Sequence, residues 1–402
     1  MSDMLAVNGG EPVTRTAFPG WPRLSEKALQ EAAGTLQTGR LTYWAGPKGR
    51  ELEKRWAEWL GAAHAVSCIN CSAALHVALL ALGVGPGDEV IVPSHSFIST
   101  AFAVIQTGAV PVFCDVGPDH VMDPRALRAL VTSRTRAVLP VHLYGVVCDM
   151  DPIREVASAH GLFVVEDCAQ CVGGEYKGRK AGSLGDVGCF SFSHAKHLTT
   201  GGEGGMVVTN DAALAREARS IRDHGYDAEA WLGLAPGSDQ PLAANRRLGF
   251  NYRLTEVQSA IGLAEMDRLD AWNLPRRRLY ARMYDHAFSQ AQGIAALPLC
   301  TPQRQNAYWR YPLTLDVEKL TAGAEKIQQA LAAEGIPCSG VRWRESYEEP
   351  AFKEGVGSDF RCPMAERLHD RTLLLCLHPT WEKVHVDWCI AGVKKVLRAF
   401  RR

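Results

Sequence analysis

The chain has no surplus of charge of either sign and no long apolar run. Lys plus Arg and Asp plus Glu each number 44 among 402 residues. Such a balance leaves no electrostatic footprint for nucleic acid or for an anionic membrane surface, so neither is expected as a partner. No stretch of eighteen consecutive apolar residues occurs, and Met1–Arg15 lacks the apolar core of a secretory signal. Internal repeats and low-complexity segments are also missing. None of the thirteen histidines forms an i, i+4 pair flanking a glutamate, which excludes the commonest zinc-protease arrangement. Twelve cysteines without an export signal read as reduced thiols, and the expected location is cytoplasmic.

What remains is an ordinary globular composition, 47% apolar and 22% charged, in a chain long enough for two or three domains. From Glu51 to Thr209, helical patterns alternate with short β-rich runs. Glu51–Leu60 and Ala73–Leu82 have helical character. Val90–Pro93, Pro111–Cys114, Ala137–Val141, Leu162–Glu166, Cys189–Ser193 and Met206–Thr209 read as strands. Several of these runs are apolar throughout, as strands covered on both faces must be. The alternation predicts an α/β fold with a mainly parallel sheet between helices. Past Asn251 the pattern changes. Thr255 and Gln258 have capping-box spacing ahead of an apolar-periodic helix expected to reach Trp272. A basic helix at Arg276–Tyr280 follows, and its Arg276-Arg277-Arg278 run reads as a solvated face. Tyr308–Leu315, Ala324–Glu334 and Val386–Phe400 complete a mixed α+β region. The expected units are an N-terminal arm over 1–25, a large domain over 26–254, and a smaller C-terminal domain over 255–402 that begins with the connecting helix. Gly225–Asn245, rich in Gly, Pro, Ala and Asp, reads as a lid or inter-subunit arm.

Four places in this frame carry chemistry. Lys196 follows the apolar Phe190–Ser193 run and precedes the Gly-rich Gly201–Gly205. Lysine is rarely buried without a partner or a purpose. A partly dry amine loses its proton more readily, and a neutral amine attacks an aldehyde. Taken alone, though, Lys196 reads as a loop cation in water. Asp167 stands directly after an apolar strand, where open parallel sheets bind their ligands. A carboxylate there can keep a pyridine nitrogen protonated, although the same residue serves equally well to cap a turn. Asn70–Leu75 opens a helix with Ser72 in its first turn, a setting for phosphate or simply for an N-cap. Phe97, on a loop after another strand, can stack on a flat ring or fill a core. Each signal is weak by itself, and their order along the chain is what makes them specific.

That order resembles the DegT/DnrJ/StrS family of pyridoxal-phosphate (PLP) dependent aminotransferases. The likeness rests on Gly39-Arg40-Leu41 with Gly46-Pro47, Glu51-Leu52-Glu53, Gly87–Pro93, Pro140–Gly145, Glu166–Gln170, the Lys196 loop, and Gly249–Gln258. The resemblance implies a three-layer type I aminotransferase fold and a transfer of nitrogen from an amino acid, glutamate or glutamine, to a ketone on a sugar or cyclitol. It implies that Lys196 carries PLP as a Schiff base and moves the proton, with pyridoxamine phosphate as the alternate cofactor form. Asp167 would pair with the pyridinium nitrogen, Gln170 would face the phenolic oxygen, and Phe97 would stack on the ring. Ser72, Ala73 and Ser191 match phosphate-binding positions. Asn251 matches a residue that reaches the phosphate of a neighbouring subunit, so a homodimer with shared sites is implied.

The chain also departs from the family's pattern. Cys71-Ser72 replaces a usual Gly-Thr pair, and His197 follows the lysine where Asn is common. Some relatives carry His in place of the lysine and are dehydratases, a route that Lys196 argues against. A PLP-dependent lyase on a deoxy-sugar and a non-catalytic regulator stay as alternatives. Tyr43, Trp44 and His197 are candidates for selecting the acceptor, and Arg342 and Arg344 for binding a carboxylate or phosphate. His142, His194 and His197 are expected near the cofactor. Cys68/Cys71 and Cys168/Cys171 have metal-ligand spacing but read as small buried residues in the cofactor wall, and no metal is expected.

Overall fold

A computed structural model describes residues 4–227, 245–341, 345–353 and 360–402. The central sheet has seven strands, in the spatial order His64–Cys68, Gly205–Thr209, Val187–Ser191, Phe163–Asp167, Thr135–Val138, Glu89–Pro93, Val110–Cys114. Only Gly205–Thr209 runs against the others. The strands of Glu89–Pro93, Val187–Ser191 and Gly205–Thr209 are buried along their whole length, as expected for a sheet with helices on both faces. A four-stranded antiparallel sheet follows in the last third, ordered Ile294–Ala296, Tyr311–Leu315, Thr372–Leu375, Cys338–Gly340. This is the expected α/β three-layer architecture with a smaller α+β part. Among the described residues, no helix is long and apolar enough to cross a membrane.

All six expected strands form, with shifted ends. The strand read as Ala137–Val141 is Thr135–Val138, because Pro140 has no N–H to give the ladder. The strand read as Cys189–Ser193 is Val187–Ser191, and the two residues lost start the loop to Lys196. His64–Cys68 was not anticipated. Its polar Ser67 masks the pattern, and both the Ser67 N–H and hydroxyl are satisfied by Glu53 at 2.9 Å.

The Thr255/Gln258 capping box forms as its spacing predicts. The helix it opens ends at Met266, not Trp272. A single π-helical turn, Leu269–Asn273, intervenes before the helix Leu274–Phe288. The extra residue in such a turn rotates the side chains that follow it, and Pro275 sits in the first turn of the next helix. One consequence overturns an expectation. Arg277 is only 2% exposed, so the Arg276-Arg277-Arg278 run is not a solvated face.

Side chains of the connecting helices pass from one core to another. Leu254, Leu263, Met266, Leu269 and Leu274 join the core of the large sheet, and Glu256–Met266 packs on Glu26–Gln37 and Lys48–Leu60. Tyr280, Tyr284 and Phe288 join the core of the smaller sheet, whereas Tyr347, Phe352 and Leu368 pack with strands of the large sheet. Leu5 from the N-terminal segment also joins the core of the smaller sheet. That segment is fastened to the C-terminal region by the Ala6 and Val13 N–H groups, which donate to the buried Glu334 carboxylate at 2.9 and 3.0 Å.

Candidate active site

The carboxyl ends of the parallel strands open into a cavity of about 500 Å³, at the edge where such sheets bind ligands. Its wall brings together Lys196, Asp167, Gln170, Phe97, Ser72 and Ser191. Asp167 ends its strand. Burial raises its pKa, and the bonds it accepts from the Ala169 N–H (3.0 Å) and the Thr100 hydroxyl (2.9 Å) pull the other way.

Behind Asp167, Glu166 is buried and accepts four hydrogen bonds. Gly182 N–H and His142 Nε2 lie at 2.9 and 3.0 Å from one oxygen, and Leu184 and Gly185 N–H both lie at 2.7 Å from the other. His142 Nδ1 accepts from the Cys148 N–H at 3.0 Å. The ring proton therefore sits on Nε2, aimed at Glu166; a cationic ring would set a second donor against the Cys148 N–H. His142, Glu166 and Cys168 are the one set of possible metal ligands that converges among the described residues. The four donors already occupy the carboxylate, and burial pushes the Cys168 thiol up, toward its neutral form.

Gln170 Oε1 accepts from the Tyr144 N–H at 2.8 Å. A backbone donor there fixes the amide's orientation, so the group left for the cavity is the N–H₂. Across the cavity, helix Cys71–Ala81 points its N-terminus at the sheet's edge. Asn70 caps it by accepting from the Ala73 N–H at 2.8 Å. Ala73, expected at the phosphate, does not line the cavity, and its N–H is engaged by Asn70. Ser72 remains, with its hydroxyl donating to that of Ser99 at 2.8 Å. The helix reaches the sheet because residue 205 is glycine, where a Cβ would lie 2.4 Å from the Asn70 backbone. Phe97 is 53% exposed at the cavity wall.

Lys196 is held with its Nζ 4.5 Å from the centroid of the Trp309 ring. Burial lowers its pKa from 10.5 to about 8; Asp167 opposes the shift and Arg310 adds to it. Asn70, Ser99, Ser193, Glu203 and Trp309 also line the cavity and were not read from the sequence. Ser99 opens the helix Ser99–Gln106 and Ser193 is a loop hydroxyl, neither with a pattern of its own, and Trp309 arrives from a segment more than a hundred residues away.

Several expected substrate residues lie elsewhere. Tyr43 is 1% exposed, donates to Glu53 at 2.9 Å and lies under the Arg222 guanidinium. Trp44 donates its indole N–H to Asp223. His197 is 1% exposed, and its Nε2–H bonds the Ala307 carbonyl at 3.0 Å. All three are built into the protein rather than turned to the cavity. His194 is exposed. Asn251 is exposed and outside this chain's cavity wall, bridged to Asp223. Arg342, Arg344 and residues 228–244 of the expected lid lie outside the described residues.

The donor set fits PLP. An acid stands where a pyridine nitrogen would need one, an amide N–H₂ is available to a phenolate, hydroxyls and helix N–H groups suit a phosphate, and an amine of lowered pKa suits an aldehyde.

Comparison with known proteins agrees. The DegT/DnrJ/EryC1/StrS aminotransferase family model matches residues 22–394. GDP-perosamine synthase of Caulobacter vibrioides is 38% identical over 89% of this chain and 92% of its own. UDP-N-acetyl-3-dehydro-alpha-D-glucosamine 3-aminotransferase of Acidithiobacillus ferrooxidans is 39% identical over 88% of this chain and 89% of its own. An aminotransferase from Psychrobacter cryohalolentis has the same fold, with a TM-score of 0.90 and 33% identity over 96% of this chain and 100% of its own. The chain belongs to the DegT/DnrJ/EryC1/StrS aminotransferase family, whose members work with pyridoxal phosphate.

Proposed function

We propose that this enzyme moves an amino group from glutamate or glutamine to the ketone of a nucleotide-linked sugar, with Lys196 as the attachment point for PLP. The observation that carries the reading is Lys196 itself, its pKa lowered to about 8 in a cavity shared with Asp167 and Gln170. When bound, PLP supplies an aldehyde that takes up the amine and a ring that draws electrons from the carbon losing its proton. Near neutral pH a useful fraction of Lys196 is the free amine, able to accept that proton and return it to the carbon on the far side of the transferred nitrogen, two atoms away. Asp167 keeps its charge by holding a ring N–H, and Gln170 donates its amide N–H. Ser72, Ser191 and the open N–H groups of Cys71 and Ser72 receive the phosphate.

The nucleotide-linked acceptor is favoured because both curated relatives are named for nucleotide sugars or their products. The site is completed by Asn251 of a second copy, a reading supported by its exposure and its place outside its own cavity wall. Twelve cysteines with no disulfide among them fit the cytoplasm.

The purified protein should be yellow, lose its visible band on adding the amino donor, and recover it when a keto-sugar accepts the nitrogen. If glutamate, glutamine, alanine and aspartate all leave the band intact, the reading fails.

A further inference from the structure

Arg277 is enclosed, and among the described residues no carboxylate lies within ion-pair distance of it. Burial and the nearby Arg310 lower its pKa to about 9. An unpaired buried charge is costly to keep, so what the guanidinium holds is informative. Its Nε donates to Asn273 Oδ1 at 2.8 Å. Its Nη1 donates to the carbonyls of Tyr308 and Trp309 at 3.2 and 3.4 Å. Its plane lies over Trp21, 5.5 Å from the ring centroid.

Trp309, Trp21 and Asn273 share one further property. They donate to three consecutive carbonyls: Trp309 Nε1 to Ala195 at 2.7 Å, Trp21 Nε1 to Lys196 at 2.9 Å, and Asn273 Nδ2 to His197. Glycine at 145 lets the Trp309 segment approach, since a Cβ there would lie 2.7 Å from the Trp309 nitrogen. The Arg277 Nε–H also decides which way the Asn273 amide points, because it claims the oxygen and leaves the N–H₂ for His197.

We propose that Arg277 is a positioning residue for the reaction, fixing the three donors that set the backbone of Lys196. It acts through Trp21, Asn273 and Trp309 and touches no reacting atom. A lysine could reach one of its acceptors at a time, whereas the planar fork holds several at once. The inference rests on the reading that Lys196 carries PLP.

The test uses the holoenzyme and Arg277→Met, with Arg276→Met as control; Arg276 is the neighbouring residue, bonded to the Pro379 and Trp381 carbonyls. A misplaced reacting group costs on the order of a hundredfold. Arg277→Met should therefore lower kcat about a hundredfold with KM changed less than threefold, and flatten the visible circular dichroism of the bound cofactor. Arg276→Met should keep wild-type kcat and dichroism. Asn273→Ala should cost about tenfold alone and less than about threefold on top of Arg277→Met, because residues acting through one contact are not additive. Fully multiplicative losses, or wild-type dichroism in Arg277→Met, overturn the proposal. If the methionine variant does not fold, Arg277→Lys, which keeps the charge and loses the fork, carries the same comparison. Borohydride reduction and peptide mapping separate the two readings. Cofactor on another lysine defeats the assignment of Lys196, whereas cofactor on Lys196 with multiplicative losses defeats only the role of Arg277.

Discussion

Lys196 is held in the fold at an energetic cost that varies with pH. Its pKa falls from 10.5 to about 8, chiefly through burial. Between those two values the unfolded chain holds a proton that the folded chain has released. Stability rises with pH wherever the unfolded state binds more protons, so the penalty is fully present below about pH 8 and is relieved on approaching 10.5. At about 1.4 kcal/mol per pH unit, the total is about 3 kcal/mol, a sizeable part of the ~5–15 kcal/mol that keeps a typical protein folded. Lys196→Met removes the titrating amine and keeps an unbranched side chain of similar length. The assay is denaturant unfolding of cofactor-free wild type and variant from pH 7 to 10.5, cofactor-free because bound ligand adds its own linkage. Other groups titrate in both proteins and cancel in the difference. Wild type should gain on the variant by about 3 kcal/mol across the range. A difference constant to within about 1 kcal/mol would refute the claim that this lysine is held in a dry, cation-averse place.

Glu166→Gln places an amide N–H₂ against two donors, whichever way it turns; two charge-assisted bonds at about 1.5–3 kcal/mol each put the loss near 3–6 kcal/mol, measurable by denaturant midpoint. Asp167→Asn should keep the local fold, since the amide oxygen can still accept from Ala169 and the Thr100 hydroxyl can reverse its role. It should slow turnover about a hundredfold or more for want of a charge beside the ring, as seen in single-turnover kinetics. Lys196→Ala and Asn251→Ala are each expected to be inactive alone. Refolded together, they should regain roughly a quarter of wild-type activity, because half the dimers are mixed and each mixed dimer has one intact site. Failure to regain activity removes the shared-site reading.

Much of this was legible in the sequence because the signals are local. An apolar strand ending in Asp167, a Ser in the first turn of a helix and a Lys ahead of glycines all declare themselves within a few residues. The cavity keeps Asp167, Gln170, Ser72, Phe97, Ser191 and Lys196 together, as the order of the blocks implied. What could not be read depends on contacts between distant segments. Tyr43 looked available because nothing nearby shows that Arg222 and Glu53 will enclose it. His197 follows the lysine in sequence, yet its ring turns away to the Ala307 carbonyl. Arg277 has two arginine neighbours and reads as solvated, but the π turn ahead of its helix alters the rotation on which such a reading depends. Trp309 has no motif at all, and its role exists only because Gly145 lets its segment come close.

The grip on Ala195, Lys196 and His197 has a consequence for the chain as it is made. Its three anchors stand at positions 21, 273 and 309, so the loop is not fully held until synthesis has passed Trp309 and the last strands have somewhere to dock. A nascent or truncated chain can complete the large sheet and still present a lysine on a loosely tethered loop. Competence to hold the cofactor in its working attitude is thus acquired late, once the N-terminal segment and the segment at Trp309 have both docked on the loop.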